Sequence, residues 1–103
     1  FSHAVHKGAL LDPDVGVAEA LWEREVITPV VPSDDYLEVA NAVMTVVTDL
    51  VGEMCYARVD VVDGNNGAPV VLEVELIEPS LFLPAAEGSG RRFAEVLARR
   101  LRS

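Results

Sequence analysis

The chain has 103 residues, half of them apolar, which suits one small domain with a single core and excludes an intrinsically disordered segment. A formal net charge of −9 argues against nucleic-acid backbones and anionic membranes as main partners, though not against a nucleotide held through metal ions and a few placed cations. The single cysteine, Cys55, rules out a disulfide framework or a zinc cluster and fits a reducing, cytoplasmic compartment, with its thiol expected as a small buried group at a strand start.

Phe1 to Lys7 alternates as a strand, with Phe1, His3, Val5 and Lys7 on one face. The absence of an initiator Met, with the chain opening directly in a strand, suggests a piece of a longer polypeptide or a product of processing. His3 and His6 lack metal-ligand spacing and a nucleophile partner, so both read as structural or exposed. Gly8 to Val31 carries little pattern. Within it Leu10 to Pro13 suggests a turn and Val17 to Glu25 a short helix, while Val26 to Pro32 is extended, because each proline biases its predecessor away from helix. This stretch fits a mobile loop, or the neighbour of one. No signal peptide or membrane span is visible.

Ser33 is a good N-cap, Asp34 and Asp35 follow in the first turn, and Gly52 suits the C-terminal cap. Between them Tyr36, Val39, Ala40, Val43, Val46, Val47 and Leu50 recur at helical spacing and predict an inward face. The β-branched valines lower intrinsic helix propensity, so this helix is expected to rely on packing against a sheet.

The next segment alternates from Tyr56 to Asp63 and again from Ala68 to Ile77, around Asn66-Gly67. Asn-Gly between alternating apolar runs is the strongest short-range hairpin signal, since both central residues of a type I′ turn need positive φ. That turn sets a register of 65 opposite 68, 62 opposite 71, 60 opposite 73 and 58 opposite 75. Arg58, Asp60, Glu73 and Glu75 then share one face, and Ala57, Val59, Val61, Leu72, Val74 and Leu76 take the other. Directly opposed carboxylates repel by roughly 0.2–1 kcal/mol. Three of them together call for a cation, and hard oxygen ligands suit Mg²⁺ or Mn²⁺ better than zinc. The plain alternative is a solvated acidic face with Arg58 as its salt-bridge partner.

Glu78 to Pro84 reads as irregular. A last helix is expected from about Gly90 to Leu101, with Phe93, Val96, Leu97 and Leu101 inward. Its five arginines, Arg91, Arg92, Arg99, Arg100 and Arg102, read as a solvated face, three of them complementing the helix dipole. The elements together predict an α+β fold, a single domain over 1–103 with an antiparallel sheet and helices packed on one face. No phosphate loop of the P-loop or Rossmann kind is present, and no Ser/His/Asp or Cys/His arrangement.

The run Ala57-Arg-Val-Asp60, then Leu72-Glu-Val-Glu75 and Glu78-Pro79, resembles the C-terminal metal-binding part of the ATP-grasp ligases. In that superfamily an Arg-Val-Asp strand is followed about a dozen residues on by Glu-x-Asn. The superfamily's Asp falls on Asp60, its Glu on Glu73 and its Asn on Glu75, where this chain departs by carrying a carboxylate. The longer stretch Leu72 to Phe82, with Ser2-His-Ala-Val and Lys7-Gly upstream, is similar to the branch that contains the cyclo-ligase of cycloserine biosynthesis.

The resemblance implies an ATP-grasp C-terminal subdomain belonging to an ATP-dependent, ADP-forming carboxylate–amine ligase that works through an acyl phosphate. It implies ATP and Mg²⁺ (or Mn²⁺) as cofactors, with a small carboxylate as substrate. Asp60, Glu73 and Glu75 would be metal ligands and Arg58 a catalytic and phosphate-binding residue. Lys7 would contact phosphate, or be a surface lysine. Glu78 and Ser80 would line the acceptor pocket, or simply pack a loop. The lysine-bearing subdomain and adenine-reading hinge of such enzymes are absent from this sequence, so the chain alone is expected to be inactive. The reading set against it is a non-catalytic acidic α+β interaction domain.

Overall fold

In the computed structural model, residues 4–9 and 25–103 are described, with side chains from residue 27 onward. Among them the order is strand β1 (Ala4–Ala9), strand β2 (Glu25–Val30), helix α1 (Asp34–Val51), strand β3 (Arg58–Asp63), strand β4 (Pro69–Glu75), a 3₁₀ turn (Leu83–Ala85) and helix α2 (Ser89–Arg102). The fold is α+β. Where one antiparallel sheet was expected, the strands form two separate antiparallel pairs, β1 with β2 and β3 with β4. Helix α1 touches both β3 and β4, while α2 rests on the 3₁₀ turn, which β2 also touches. The helices therefore do not share a single sheet face.

The first strand begins at Ala4 and runs to Ala9, two residues past the expected end, with residues 1–3 outside the described part. Its partner β2 covers the extended stretch before Pro32, and Pro29 is accommodated opposite Val5 in a pair that, among the described residues, has no third strand. The expected turn at Leu10 to Pro13 lies outside the described residues. So does the expected helix from Val17, apart from Glu25, which opens β2.

Helix α1 starts after Ser33 and ends at Gly52, as the capping pattern predicts. Ser33 supplies its backbone carbonyl to Leu37 N–H at 3.1 Å, but its hydroxyl donates to the Asp35 carboxylate and not to the helix. At the other end Gly52 (φ 87°) donates its N–H to the Thr48 carbonyl at 2.9 Å, closing the helix in a conformation that favours glycine. Tyr36, Val39, Ala40, Val43 and Val47 are half-buried, as is Met44, which the periodicity did not single out. Val46 and Leu50, expected inward, are 58% and 77% exposed.

The β3–β4 hairpin holds the register that matters for the site and departs from expectation at its tip. Arg58 opposes Glu75, Val59 opposes Val74, and Asp60 opposes Glu73. Closer to the turn the pairs are Val61 with Val71, Val62 with Val70 and Asp63 with Pro69, so the expected pairing of 62 with 71 is off by one.

The reason lies in the loop. Gly67 N–H donates to the Gly64 carbonyl at 2.9 Å and Gly64 N–H to the Ala68 carbonyl at 2.8 Å. This puts Asn65 and Asn66 at the centre of the turn and makes the loop three residues long. Gly67 (φ 79°) takes the left-handed position and neither asparagine does. This is the three-residue hairpin loop with a left-handed third residue, not the type I′ turn. Asn66 instead caps the loop, its Oδ1 accepting from Ala68 N–H at 3.1 Å. The extra loop residue is offset by a β-bulge between Asp60 and Val61, where Leu72 is left without a partner and 67% exposed. Two one-residue irregularities cancel, and the carboxylates meet as expected.

Cys55 is half-buried in the bend before β3, not buried within a strand. In α2, Phe93, Val96 and Leu97 are half-buried, and the Phe93 ring meets Tyr56 edge-on at 6.1 Å. Leu101, expected inward, is 86% exposed at the helix end. No apolar side chain among the described residues is fully buried, so the single closed core expected for 103 residues is not present in them. Ser89, the one fully buried polar residue among those described, donates its hydroxyl to the Leu83 carbonyl and ties α2 to the 3₁₀ turn.

Candidate functional site

Arg58 is the first residue of β3 and Glu75 the last of β4, so their side chains leave the same face at the open end of the hairpin. Asp60 and Glu73 lie two residues further in on that face, by the two-residue period of a strand. Helix α1 closes the other face, and Tyr36 hydroxyl donates to the Asp63 carboxylate, joining the start of α1 to the end of β3. The hydrogen bond to Asp63 raises the Tyr36 pKa above its ordinary value, because it favours the phenol that donates it.

The four residues form one ionic cluster centred on a guanidinium. Arg58 Nε donates to Asp60 Oδ1 at 2.8 Å and Nη2 to Asp60 Oδ2 at 3.2 Å, a two-pronged contact. The same Nη2 lies 3.0 Å from Glu75 Oε1 and 3.5 Å from Glu73 Oε2. Its remaining nitrogen, Nη1, donates to the Ser80 carbonyl at 3.3 Å. The Arg58 side chain is 17% exposed, against 26% for Asp60, 33% for Glu75 and 50% for Glu73, so exposure rises away from the guanidinium. The Asp60 hydrogen bonds, and then the charges of Asp60, Glu75 and Glu73, push the Arg58 pKa still higher and hold it cationic.

Sequence reasoning missed one member of this cluster. The Phe82 ring lies under the guanidinium, with the Arg58 Cζ 5.7 Å from its centroid, within cation–π range. Phe82 stands in the irregular segment after β4 and has φ 51°, as does Glu78 at the start of that segment. Positive φ at a bulky non-glycine residue is uncommon. The sequence signal available was a lone aromatic in a stretch of Pro, Ser and Leu, which names no partner.

Of the other expected site residues, Ser80 reaches the cluster through its backbone carbonyl, and its side chain is exposed. Glu78 is exposed and left-handed. Lys7 stands in β1 opposite Ile27, in the separate hairpin, and its side chain lies outside the described part. His6 is opposite Thr28 in the same pair, and His3 falls outside the described residues.

By donor type the cluster fits a hard divalent cation, since it offers three carboxylates on one partly open face. By arrangement it is not a preformed cage. Among the described residues no three acidic, histidine or cysteine groups are gathered so as to hold an ion as they stand. A guanidinium already bridges these carboxylates. No helix among the described residues is long and apolar enough to cross a membrane.

No family model matches the chain. The chain is 39% identical to the cycloserine biosynthesis protein DcsG of Streptomyces lavendulae, in an alignment covering 99% of this chain and 34% of that protein. The crystal structure of D-cycloserine synthetase DcsG matches with a TM-score of 0.76 and 38% identity, over 97% of this chain and 34% of that one. The chain thus spans about a third of the length of the relative it matches, and is similar to that third almost end to end. This similarity agrees with the branch suggested by Leu72 to Phe82, and it marks the chain as related to a biosynthetic synthetase.

Proposed function

We propose that this chain is the C-terminal, metal-binding portion of an ATP-grasp ligase that joins a small carboxylate to an amine or similar nucleophile through an acyl phosphate. The observation that carries the reading is the convergence of Asp60, Glu73 and Glu75 on one guanidinium, at the register the ATP-grasp resemblance requires. Similarity over nearly the whole chain to part of a cycloserine synthetase supports it.

Phosphoryl transfer asks a protein mainly for positioning and charge neutralisation. Asp60, Glu73 and Glu75 would hold Mg²⁺ or Mn²⁺, which supplies charge neutralisation at the β- and γ-phosphate oxygens of ATP. Glu73 is the most exposed of the three carboxylates and the furthest from the guanidinium, so it is the one most open to a cation. Arg58, freed from part of its carboxylate contacts, is a fixed positive charge on the same face. There it stabilises the negative charge spread over the transferring phosphoryl group. The acid and the nucleophile would be chosen by parts of the enzyme that precede this portion, together with Glu78 and Ser80 at the edge of the cluster.

One observation favours the second reading, an acidic α+β interaction domain. Arg58 already bridges the carboxylates of Asp60, Glu73 and Glu75, as the cation of a surface salt-bridge network would. Titration with Mg²⁺ or Mn²⁺, followed on the hairpin amides by NMR with and without ATP, separates the two. Site-specific shifts confined to residues 58–60 and 73–75 support the ligase. Uniform, weak ionic effects along the chain support the interaction domain.

A further inference from the structure

The segment between β4 and the 3₁₀ turn is built around Arg58. It leaves β4 through Glu78 in a left-handed conformation, and Ser80 turns its carbonyl onto Arg58 Nη1 at 3.3 Å. At Phe82 the backbone is left-handed again, and the ring comes within 5.7 Å of the guanidinium carbon. A guanidinium that met only carboxylates would be free to swing among three of them. Here its carbon lies over a ring and one nitrogen donates to a carbonyl, and both come from the same short segment.

We propose that Phe82 is a positioning residue for Arg58: its ring fixes the guanidinium among Asp60, Glu73 and Glu75, and so sets how readily a divalent cation displaces it. The cation half of this inference rests on the ligase reading above; the positioning half does not. The left-handed backbone at Phe82 has a reason on this view, since strained conformations persist where the surroundings require them and gather at functional sites. The chemistry also fixes the direction of the effect. Arg58 and a divalent ion draw on the same three carboxylates, so a contact that steadies Arg58 weakens the ion. Without the ring, the cation binds more tightly while Arg58 loses its fixed place.

The test uses Phe82→Leu and Phe82→Trp in the full-length protein, with the hairpin amide spectrum confirming that both fold. The Nε–H resonance of Arg58, assigned by its loss in Arg58→Lys, reports the guanidinium, and the EPR signal of free Mn²⁺ reports cation binding. In Phe82→Leu the Arg58 resonance is expected to lose its ring-current shift and become mobile. Mn²⁺ should bind about two- to fivefold more tightly, the fold-change of a modest cation–π contact removed from the competitor. Phe82→Trp should restore both readings. A side chain that served only general packing would weaken Mn²⁺ binding when truncated, the opposite sign. An Arg58 resonance unchanged in Phe82→Leu overturns the positioning role, whatever the cation does. Mn²⁺ affinity that is unchanged or weaker overturns the competition. If Arg58 is released but the parent protein binds no Mn²⁺, the positioning role is supported and the ligase reading beneath it fails.

Discussion

Truncating Arg58 while leaving its three carboxylates in place separates what the guanidinium contributes from what the acids do. In Arg58→Leu, Asp60 and Glu73 face each other directly with Glu75 beside them, and no positive charge lies between them. Loss of the charge-assisted bonds to Asp60, with like charges left opposed, should cost about 1–2 kcal/mol in chemical denaturation. Salt should recover part of that loss by screening the acids. Glu73→Gln is the complementary change. It removes one of the opposed charges and should leave the fold intact, while ATP-dependent ligation by the full-length protein is abolished on the proposed reading. Full activity in that variant would remove Glu73 from the metal set. At this scale much of the site was legible, because strand alternation groups Arg58 with Asp60 and Glu73 with Glu75, and the apolar residues on the opposite face bring the two pairs together. Phe82 was not, since its contact crosses from an irregular segment with positive φ, where no periodicity tells a side chain where to point.

At the scale of elements, the helices and the second hairpin follow from patterns that local chemistry enforces, and the errors fall where two local solutions compete. Asn66-Gly67 satisfies a two-residue turn, yet the three-residue loop uses the same glycine at its left-handed position and spares Asn66 a positive φ. The bulge at Leu72 then restores the pairing, so the site registers correctly although the turn does not. Gly67→Ala should cost about 1 kcal/mol, because only glycine takes φ 79° freely, and the pairs 58–75 and 60–73 should survive in the amide spectrum. The junction of α1 with β3 makes a pH prediction. The bond to Asp63 raises the Tyr36 pKa above 10.0, so the stability it adds is complete below pH 10 and is lost as pH rises through the folded-state value. Ultraviolet titration should show Tyr36 ionising above its ordinary range. Asp63→Asn should bring it back down, because the neutral amide no longer penalises the phenolate.

At the scale of the molecule, the described residues do not form the closed core that composition suggests. Half of the residues are apolar, yet Leu50, Ile77 and Leu101 are each more than three-quarters exposed, and none of the described apolar side chains is fully buried. The radius of gyration is 15.9 Å, where a compact chain of this length has about 13 Å. Composition counts apolar residues without saying whether their partners lie in the same chain, so it could not have shown this. An exposed large side chain forgoes roughly 1.5–3 kcal/mol of burial, and a small domain has little stability to spare. The 103-residue chain produced alone should therefore unfold at low urea and enhance the fluorescence of a dye that binds apolar surface. The ligase reading adds that it should bind ATP weakly and turn nothing over, because the parts that clamp the adenine lie outside it. Calorimetric titration with Mg-ATP checks the affinity and a coupled assay for released ADP checks turnover. Tight, saturable binding of ATP by this chain alone would mean that the nucleotide needs no second subdomain, and the ATP-grasp arrangement would have to be given up even if the Arg58 cluster proved to bind metal.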